Sequence, residues 1–235
     1  MGSVDLRHLG PQYHSYRLLG ATNEQLPGIY PPNQACKEPI LLAYIQLAIA
    51  KCRTTIATPV SFAELFCADG YHAMMARRLG ATASMGIDND REGHFGTASK
   101  VAAAVGLSDV RFLRMEVDAI DTLPPVDIVA NVGGLYHVAD PLAILAKSYA
   151  MARRFLIVQS VVSLATDDPR YFASPAPGWH WGSRFSRASF DRAMRETGWD
   201  IVDSHFNELE GNDRPEDRGS AYYLVRKPTA PGGPA

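Results

Sequence analysis

The most distinctive chemical pattern in the chain is the turn ELFCADG at residues 64–70, which precedes the apolar run ASMGID ending at Asp88. Gly70 lets a ligand approach the backbone of this turn closely, and a carboxylate ends the next strand about 20 residues later. This combination is typical of dinucleotide and nucleoside sites. A plainer interpretation also fits, in which Gly70 only starts a helix and Asp88 caps the next one. Because short glycine patterns recur by chance, the turn alone does not decide between these interpretations.

The elements around this turn predict an α/β fold. Short apolar runs alternate with helical stretches from residue 61 to residue 163, which is typical of a parallel sheet with helices on both faces. The chain ends differently, because the strand candidates DIVDSHFNEL and GSAYYLVRK are joined directly by a loop and should form an antiparallel pair. We expect the turn at Gly70 to lie at the carboxyl edge of this sheet, where ligands of such folds bind.

Three helices are predicted with defined boundaries. The run EPILLAYIQLAIAKC, residues 38–52, predicts a buried helix with Pro39 in its first turn. Residues 91–106 predict a second helix, which ends at a glycine. Asp140 and Pro141 predict the N-cap and first position of a third helix.

Size, charge and cysteine content exclude several classes of protein. The 235 residues are 46% hydrophobic and 20% charged, which is sufficient for one ordinary core, and the formal net charge of −2 argues against a nucleic-acid partner. Cys36, Cys52 and Cys67 lack CxxC spacing, and no residue cluster has metal-ligand spacing, so we predict neither a disulfide framework nor a metal site. No apolar helix long enough for a membrane span and no secretory leader are visible, so we expect a cytoplasmic protein.

Three segments resemble a known family. ELFCADGYHAMMARRLGA resembles the first motif of class I S-adenosylmethionine-dependent methyltransferases, and more narrowly the branch related to the tRNA wobble-uridine methoxylation enzymes. In that branch the first two glycines of the common pattern are often replaced. In this chain Phe66 and Ala68 stand at those two positions. VDIVANVGGLYHVADPLAILAK is similar to the fourth-strand motif of the branch, and QYHSYRLLG followed by LPG to its N-terminal Tyr-His segment. The resemblance runs from about Tyr13 to Val225, whereas the GxGxxG pattern of NAD-binding proteins is absent.

The resemblance implies S-adenosylmethionine as the cofactor and a Rossmann-like sheet of seven strands, mostly parallel, with an antiparallel C-terminal strand. By this resemblance Glu64 accepts the ammonium group of the methionine arm, Asp88 accepts both ribose hydroxyls, and Asp118 accepts the adenine amino group. The other implied cofactor contacts are Cys67, Ala68, Gly70, Asn89, Asp90, Ala119, Asn131 and Gly133. Plainer roles stay open: Asp118 in a solvated loop, Asn131 capping a strand end, and Cys67 as a small apolar filler rather than a nucleophile.

His137 and Tyr136 are the expected catalytic residues, because they follow the strand that would end beside the reacting methyl group. Methyl transfer is an in-line displacement, and its catalysis comes mainly from positioning the acceptor against the methyl group. When the acceptor is a hydroxyl, a general base increases the rate by a further factor of about 10²–10⁴. We expect His137 to be that base and Tyr136 to shape the pocket. The alternative for His137 is a structural hydrogen bond to its own turn.

Two segments in which aromatic, histidine and arginine side chains are interleaved predict the acceptor pocket. Flat aromatic faces can stack on a polar ring or a sugar, and the charged groups can orient it. The candidate residues are Tyr13, His14, Tyr16 and Arg17 near the N-terminus, and Trp179, His180, Trp181 and Arg184 after the fifth strand. The alternative is that the tryptophans only anchor a long loop on the core.

We therefore expect an O-methyltransferase that acts on a hydroxyl of a small molecule, such as a sugar or a natural-product scaffold. Two alternatives remain: a tRNA-modifying methyltransferase, for which the chain lacks a basic surface, and a non-catalytic S-adenosylmethionine-binding protein, which the missing glycines favour. The expected organisation is an N-terminal cap segment with a helix at 1–55, the methyltransferase domain at 56–228 and a disordered tail at 229–235. A homodimer is compatible with the sequence.

Overall fold

The computed structural model describes residues 2–55 and 59–228. The tail at 229–235, which we predict to be disordered, lies outside the described residues. No helix in the described part of the chain is both long and apolar enough to span a bilayer.

The described chain consists of an N-terminal segment followed by alternating strands and helices. The α-helices are α1 Tyr30–Thr55, α2 Tyr71–Arg78, α3 Ala98–Ala104, α4 Pro141–Met151 and α5 Arg187–Glu196. The strands are β1 Val4–Asp5, β2 Ala21–Thr22, β3 Ser61–Leu65, β4 Ala83–Asp88, β5 Arg111–Arg114, β6 Val126–Val132, β7 Ala152–Val162, β8 Phe172–Ala173, β9 Arg184–Phe185, β10 Asp200–Glu208 and β11 Gly219–Arg226.

The main sheet has seven strands in the order β10-β11-β7-β6-β3-β4-β5. Neighbouring strands from β7 to β5 are parallel, whereas β11 is antiparallel to both β7 and β10. The predicted fold is therefore confirmed: a Rossmann-like sheet, mostly parallel, with an antiparallel strand at the C-terminal end. The order of strands reverses between β3 and β6, and in such sheets ligands bind beyond the carboxyl ends of the strands at this point.

Alternating side chains of the central strands pack against helices on both faces of the sheet. Ile128 and Ala130 of β6 join the apolar cluster that contains α1, whereas Val129 joins the cluster that contains α4 and α5. β7 and β11 follow the same alternation. Because both faces are covered, these strands are apolar almost throughout, as parallel strands of this architecture usually are.

The predicted start of the first helix is wrong. α1 begins at Tyr30 rather than near residue 38, and Pro39 lies inside the helix instead of in its first turn. Pro31 and Pro32 occupy the first turn, where the missing N–H groups would have no intrahelical partner. The first two turns of α1 carry polar side chains, so they lack the apolar periodicity on which the prediction depended.

The predicted helix at 91–106 is also longer than the observed one. Residues 91–94 form a loop, Phe95–Thr97 form a 3₁₀ turn, and α3 begins only at Ala98. The N-cap prediction is confirmed, because the Asp140 carboxylate accepts the backbone N–H of Ala143 at 3.1 Å and Pro141 follows directly.

The N-terminal segment packs against α2 and α3. Its strands β1 and β2 form a short parallel pair, and Tyr16 and Leu19 are buried in an apolar cluster with Tyr71 and Met74 of α2. This packing places Tyr13 and His14 beside the turn that follows β3.

Candidate functional site

The turn after β3 has the backbone shape of a glycine-rich loop although it contains few glycines. Phe66 and Ala68 have φ values of 58° and 48°, in the left-handed region that L-residues rarely adopt, and Gly70 has a φ of 79°. Such a conformation costs roughly 1–2 kcal/mol for each non-glycine residue. Hydrogen bonds hold the turn: Cys67 N donates to the Ile87 carbonyl at 3.1 Å, and Gly70 N donates to the Cys67 carbonyl at 2.7 Å.

Two glycines behind this turn allow close packing. A Cβ atom on Gly70 would lie 2.2 Å from Cε1 of Phe112, and one on Gly86 would lie 2.8 Å from Sγ of Cys67. The side of the turn that carries Gly70 and Cys67 is therefore packed against Phe112 and Gly86. Burial raises the pKa of Cys67 well above its ordinary value, so the residue is a neutral thiol.

Asp88 links the turn after β3 to the end of β4. Its Oδ2 accepts the N–H of Ala68 at 3.0 Å, and its Oδ1 accepts the N–H of Asp90 at 2.7 Å. The pKa of Asp88 is raised overall, mainly because the side chain is buried. The two N–H donors lower this pKa, whereas the carboxylates of Glu64 and Asp90 raise it further. Each carboxylate oxygen keeps a second lone pair, so Asp88 can still accept hydrogen bonds from a ligand.

Glu64 is a buried carboxylate on β3 that holds the start of α2. Its Oε1 lies 2.7 Å from Nδ1 of His72, and its Oε2 accepts the N–H of Ala73 at 2.7 Å. The second lone pairs of its oxygens are the ones available to a ligand.

A cavity of about 240 Å³, here called the edge cavity, opens at the carboxyl ends of β3, β4 and β6. Carboxylates outnumber cationic side chains around it. The cationic residues are Lys37 and Arg91, and the carboxylates are Glu64, Asp88, Glu92, Glu116 and Asp118. The other lining residues include Phe66, Ala68, Asn89, Val117 and Gly133. This charge distribution favours a ligand that carries positive charge.

A second cavity of about 260 Å³, here called the loop cavity, lies between α1 and the loop that precedes β9. The two cavities share the lining residues Tyr13, His14, Lys37, Glu92, His94 and His137. The loop cavity adds Tyr30, Asn33, Gln34, Tyr136, Trp179, Trp181, Arg184, Asn212 and Asp217. Its wall thus combines aromatic faces with side-chain amides and one buried ion pair.

His137 and Trp181, which both line the loop cavity, form an aromatic stack. His137 lies parallel to Trp181, with ring centroids 5.0 Å apart and an interplanar angle of 14°, and Arg91 lies over the same tryptophan at 4.6 Å. Arg184 donates to Asp217 at 2.6 Å, and its Nε is buried without a partner among the described residues. Burial raises the pKa of Tyr136 to about 12.

His137 is a neutral imidazole at neutral pH. Burial is the main cause that lowers its pKa to about 4, and repulsion by Arg184, Arg91 and Lys37 lowers it further. Its backbone N–H donates to the Gly134 carbonyl at 2.8 Å, which fixes the turn after β6. A neutral imidazole at the boundary of the two cavities can accept a hydrogen bond from a ligand.

Several predicted site residues do not line either cavity. Tyr16 is buried and donates to the Asp69 carbonyl at 3.2 Å, whereas Arg17 pairs with Glu38 at 2.9 Å. Asn131 is buried and donates to Ser148 at 2.8 Å, and its Oδ1 has no partner among the described residues. Cys67, Gly70, Asp90, Ala119 and His180 are also outside the two linings.

The other predicted residues come together at the two cavities. Those at the edge cavity are Glu64, Ala68, Asp88, Asn89, Asp118 and Gly133, those at the loop cavity are Tyr136, Trp179, Trp181 and Arg184, and Tyr13, His14 and His137 line both. Within the described residues, no group of three or more His, Cys, Asp or Glu side chains is arranged to hold a metal ion.

Comparison with known proteins gives only structural matches. No protein-family model matches the chain, and no curated protein matches its sequence. Magnesium protoporphyrin IX methyltransferase (ChlM) from Synechocystis PCC 6803, solved with bound SAH, matches with a TM-score of 0.64 at 12% identity, over 91% of this chain and 93% of that one. The N-terminal domain of EvdMO1, solved in the presence of SAH and D-fucose, matches with a TM-score of 0.63 at 18% identity, over 94% and 93% of the two chains. The cyclase SpnF matches with a TM-score of 0.57 at 19% identity, over 79% and 82%.

The chain has the class I methyltransferase fold. These identities establish the fold alone and do not single out the tRNA wobble-uridine branch. In this fold the edge cavity lies at the reversal point of the sheet, between the ends of β3 and β6.

Sequence reasoning missed several residues of the methyltransferase-fold site. Asp69 stands within the ELFCADG turn, but its burial and its contact with His14 appear only in the folded chain. Lys37 was missed because the start of α1 was placed too late, and Arg91, Glu92 and His94 because they were assigned to a helix. His72, Glu116 and Gln159 have no sequence signal that distinguishes them from the residues around them, whereas Phe66 is marked only as the replacement of a glycine in the family motif.

Proposed function

We propose that the protein is an S-adenosylmethionine-dependent methyltransferase that acts on a hydroxyl group of a small molecule. The observation that carries this proposal is the excess of carboxylates around a cavity at the reversal point of a methyltransferase-fold sheet. S-adenosylmethionine carries a sulfonium, an ammonium and two ribose hydroxyls, all of which favour carboxylate neighbours. Solved neighbours of this fold were crystallised with SAM or SAH bound, which supports the same cofactor here.

The residues present fit this cofactor. We assign Asp88 to the ribose hydroxyls, Glu64 to the ammonium group, and Asn89 and Asp118 to the adenine, because all four line the edge cavity. A Cβ atom on Gly133 would meet no atom within 4 Å, so open space lies beside the backbone of this cavity-lining residue. Gln159 accepts the N–H of Gly133 at 2.8 Å and thereby fixes the turn after β6.

When bound, S-adenosylmethionine supplies an electrophilic methyl group. The chain's own contribution is to position the acceptor, because an oriented pair of reactants replaces a bimolecular encounter. His137, Tyr136 and Trp181 line the cavity in which the acceptor would lie, and the single N–H of the neutral His137 ring would donate a hydrogen bond to the acceptor oxygen.

The loop cavity favours a small polar ring as the acceptor. Its volume of about 260 Å³ is at the small end of ligand pockets, and its aromatic faces alternate with the amides of Asn33, Gln34 and Asn212. A sugar, or a natural-product scaffold that carries one, satisfies both features. The EvdMO1 neighbour, whose structure was determined in the presence of D-fucose, supports a sugar acceptor.

A transfer assay with methyl-labelled S-adenosylmethionine tests the proposal. The acceptor panel contains D-fucose and other sugars, phenols and unmodified tRNA, and the matched control is Asp88→Asn. We expect label in a sugar or phenol hydroxyl, with the variant weaker at limiting cofactor concentration. Label in tRNA would replace the small-molecule acceptor, and cofactor binding without transfer to any hydroxyl in the panel would contradict the proposed reaction.

A further inference from the structure

Lys37 occupies the boundary between the edge cavity and the loop cavity. It lies in the polar first turns of α1, and it lines both cavities together with His137. An acceptor hydroxyl that reaches from the loop cavity towards the edge cavity must pass this boundary. Lys37 is therefore among the few titratable groups that can contact the acceptor oxygen.

The amino group of Lys37 has no protein partner in the described ranges 2–55 and 59–228, where no carboxylate lies within 4.0 Å and no group accepts a hydrogen bond from it. The neighbouring carboxylate of Glu38 is already engaged, since it accepts from Arg17 at 2.9 Å, from Gln34 at 2.8 Å and from Tyr71 at 2.5 Å. No ion pair or hydrogen bond in this part of the chain therefore holds Lys37 in its charged form.

Across the edge cavity, Lys37 faces the carboxylates of Glu64, Asp88, Glu116 and Asp118, together with His72 and Arg91. In the described ranges none of these carboxylates lies within 4.0 Å of its amino group, so none forms an ion pair with it. The N-terminal segment contributes Tyr13 and His14, α1 itself contributes Tyr30 and Cys36, and the loop after β4 contributes the exposed Glu92 together with His94. From the turn after β6 and from the loops around β9 come Tyr136, His137, Arg184 and Asp217, and this last carboxylate is shared by Arg184 and Arg214.

We infer that Lys37 is the residue that takes the proton from the acceptor hydroxyl, with His137 orienting that hydroxyl. This inference rests on the proposed function. The acceptor O–H bond breaks and its proton moves to the Nζ lone pair. The oxygen keeps the electron pair with which it receives the methyl group, and the sulfonium becomes a neutral thioether. The resulting ammonium then returns its proton to solvent.

The electrostatics of the two side chains agree with this division of roles. Burial lowers the pKa of Lys37 to about 8, so a neutral amine is accessible close to neutral pH. The pKa of His137, at about 4, leaves its ring a poor proton acceptor in the same range. General bases work best when their pKa lies near the working pH.

An NMR titration of the lysine side chains tests the inference without turnover. Lys51 lies in the same helix and is exposed, so it is the matched control, and Lys37→Arg identifies the Lys37 signal. We expect Lys37 to titrate near pH 8, below the value of about 10.4 that is ordinary for a free lysine side chain. Titration of Lys37 together with Lys51 would overturn the inference.

Kinetics of Lys37→Arg separate proton transfer from charge, because arginine keeps the charge but cannot act as a base. We expect kcat to fall by about 10²–10⁴-fold in both Lys37→Arg and Lys37→Met, and the rise of kcat with pH to disappear. Lys51→Arg should leave turnover and its pH profile unchanged. Full turnover in Lys37→Arg would overturn the inference alone, whereas failure of the wild type to bind SAH would overturn the proposed function.

Discussion

His14 and Asp69 join the N-terminal segment to the turn after β3, with Nδ1 of the imidazole 2.5 Å from Oδ1 of the carboxylate. The backbone N–H of His14 also donates to Oδ2 of Asp69 at 2.9 Å, and both side chains are buried. The segment that contributes Tyr13 and His14 to the two cavities is thus fixed by the turn that forms the floor of the edge cavity. Folding of the N-terminal segment and formation of the site are therefore coupled.

Replacing Asp69 with Asn should destabilise the fold strongly. The variant leaves the buried His14 without its carboxylate, and removing one partner of a buried pair typically costs about 3–5 kcal/mol. Urea unfolding at neutral pH measures the change in the free energy of unfolding. The control is Asp5→Asn, which removes a solvent-exposed pair with Arg7 and should change little.

The contribution of Asp69 should also depend on pH. Burial raises the pKa of Asp69, but attraction to His14 and the hydrogen bonds from His14 and Tyr16 outweigh it, so the net change is downward. The unfolded chain therefore binds more protons between the two pKa values, and the stabilisation is complete above the unfolded value. The difference between wild type and Asp69→Asn should shrink as pH falls through the folded value. A difference that stays constant down to acid unfolding would contradict this account.

Replacing Ala68 with Gly should not destabilise the turn. Its φ of 48° costs an L-residue roughly 1–2 kcal/mol, which the glycine relieves, while the greater freedom of glycine in the unfolded chain costs about 0.5–1 kcal/mol. We expect a net stabilisation of about 0–1.5 kcal/mol by chemical denaturation. Ala103→Gly, at an exposed position of α3, is the control and should lose about 1 kcal/mol. Equal losses in both variants would show that the turn carries no strain.

Replacing Gly134 with Ala should displace Phe66 and narrow the edge cavity. The added Cβ would lie 1.9 Å from the Phe66 ring, which lines that cavity. Overpacking of this kind costs about 1–3 kcal/mol, and we expect SAH affinity to fall with it. A double-mutant cycle with Phe66→Ala measures the coupling, since the alanine at 134 should cost far less without the ring. Additive effects would contradict the contact.

Cofactor affinity should fall at a higher pH than an ordinary aspartate predicts. The net pKa of Asp88 is raised, mainly by burial, and only the ionised carboxylate can accept hydrogen bonds from both ribose hydroxyls. SAH affinity should therefore decrease as pH falls through the raised pKa, above the ordinary aspartate value of about 3.9. Calorimetric titrations across this range should show the decrease in wild type and a flatter profile in Asp88→Asn. Parallel profiles would show that another group controls binding.

The sequence predicts the features of this fold that depend on periodicity and capping. Local geometry decides both the apolar run of β6 and the helix start at Asp140 and Pro141. A single sequence encodes such local features directly. Asp88 was predictable because its place at a strand end is fixed by the same alternation. The start of α1 was not, because the polar residues there serve the site and the Glu38 hydrogen-bond network rather than the apolar core.

The rest of the site depends on tertiary contacts that no local pattern encodes. The stack of Arg91 on Trp181 joins positions far apart in the chain, and the boundary position of Lys37 exists only once α1 lies beside the turn after β6. The left-handed turn at Phe66 and Ala68 depends on the Asp88 carboxylate, which accepts the N–H of Ala68 at 3.0 Å. A sequence that lacks the usual glycines can therefore keep the shape of the turn.

Calorimetric titration of the protein with S-adenosylmethionine and SAH at neutral pH, with Asp88→Asn beside it, tests the central claim most directly. We predict that the wild type binds one equivalent of either ligand. The variant should keep its fold and lose about 10–100-fold in affinity, as expected for removal of charge-assisted hydrogen bonds. The absence of binding to the wild type, or equal affinity in the two proteins, would contradict the assignment of the edge cavity to this cofactor.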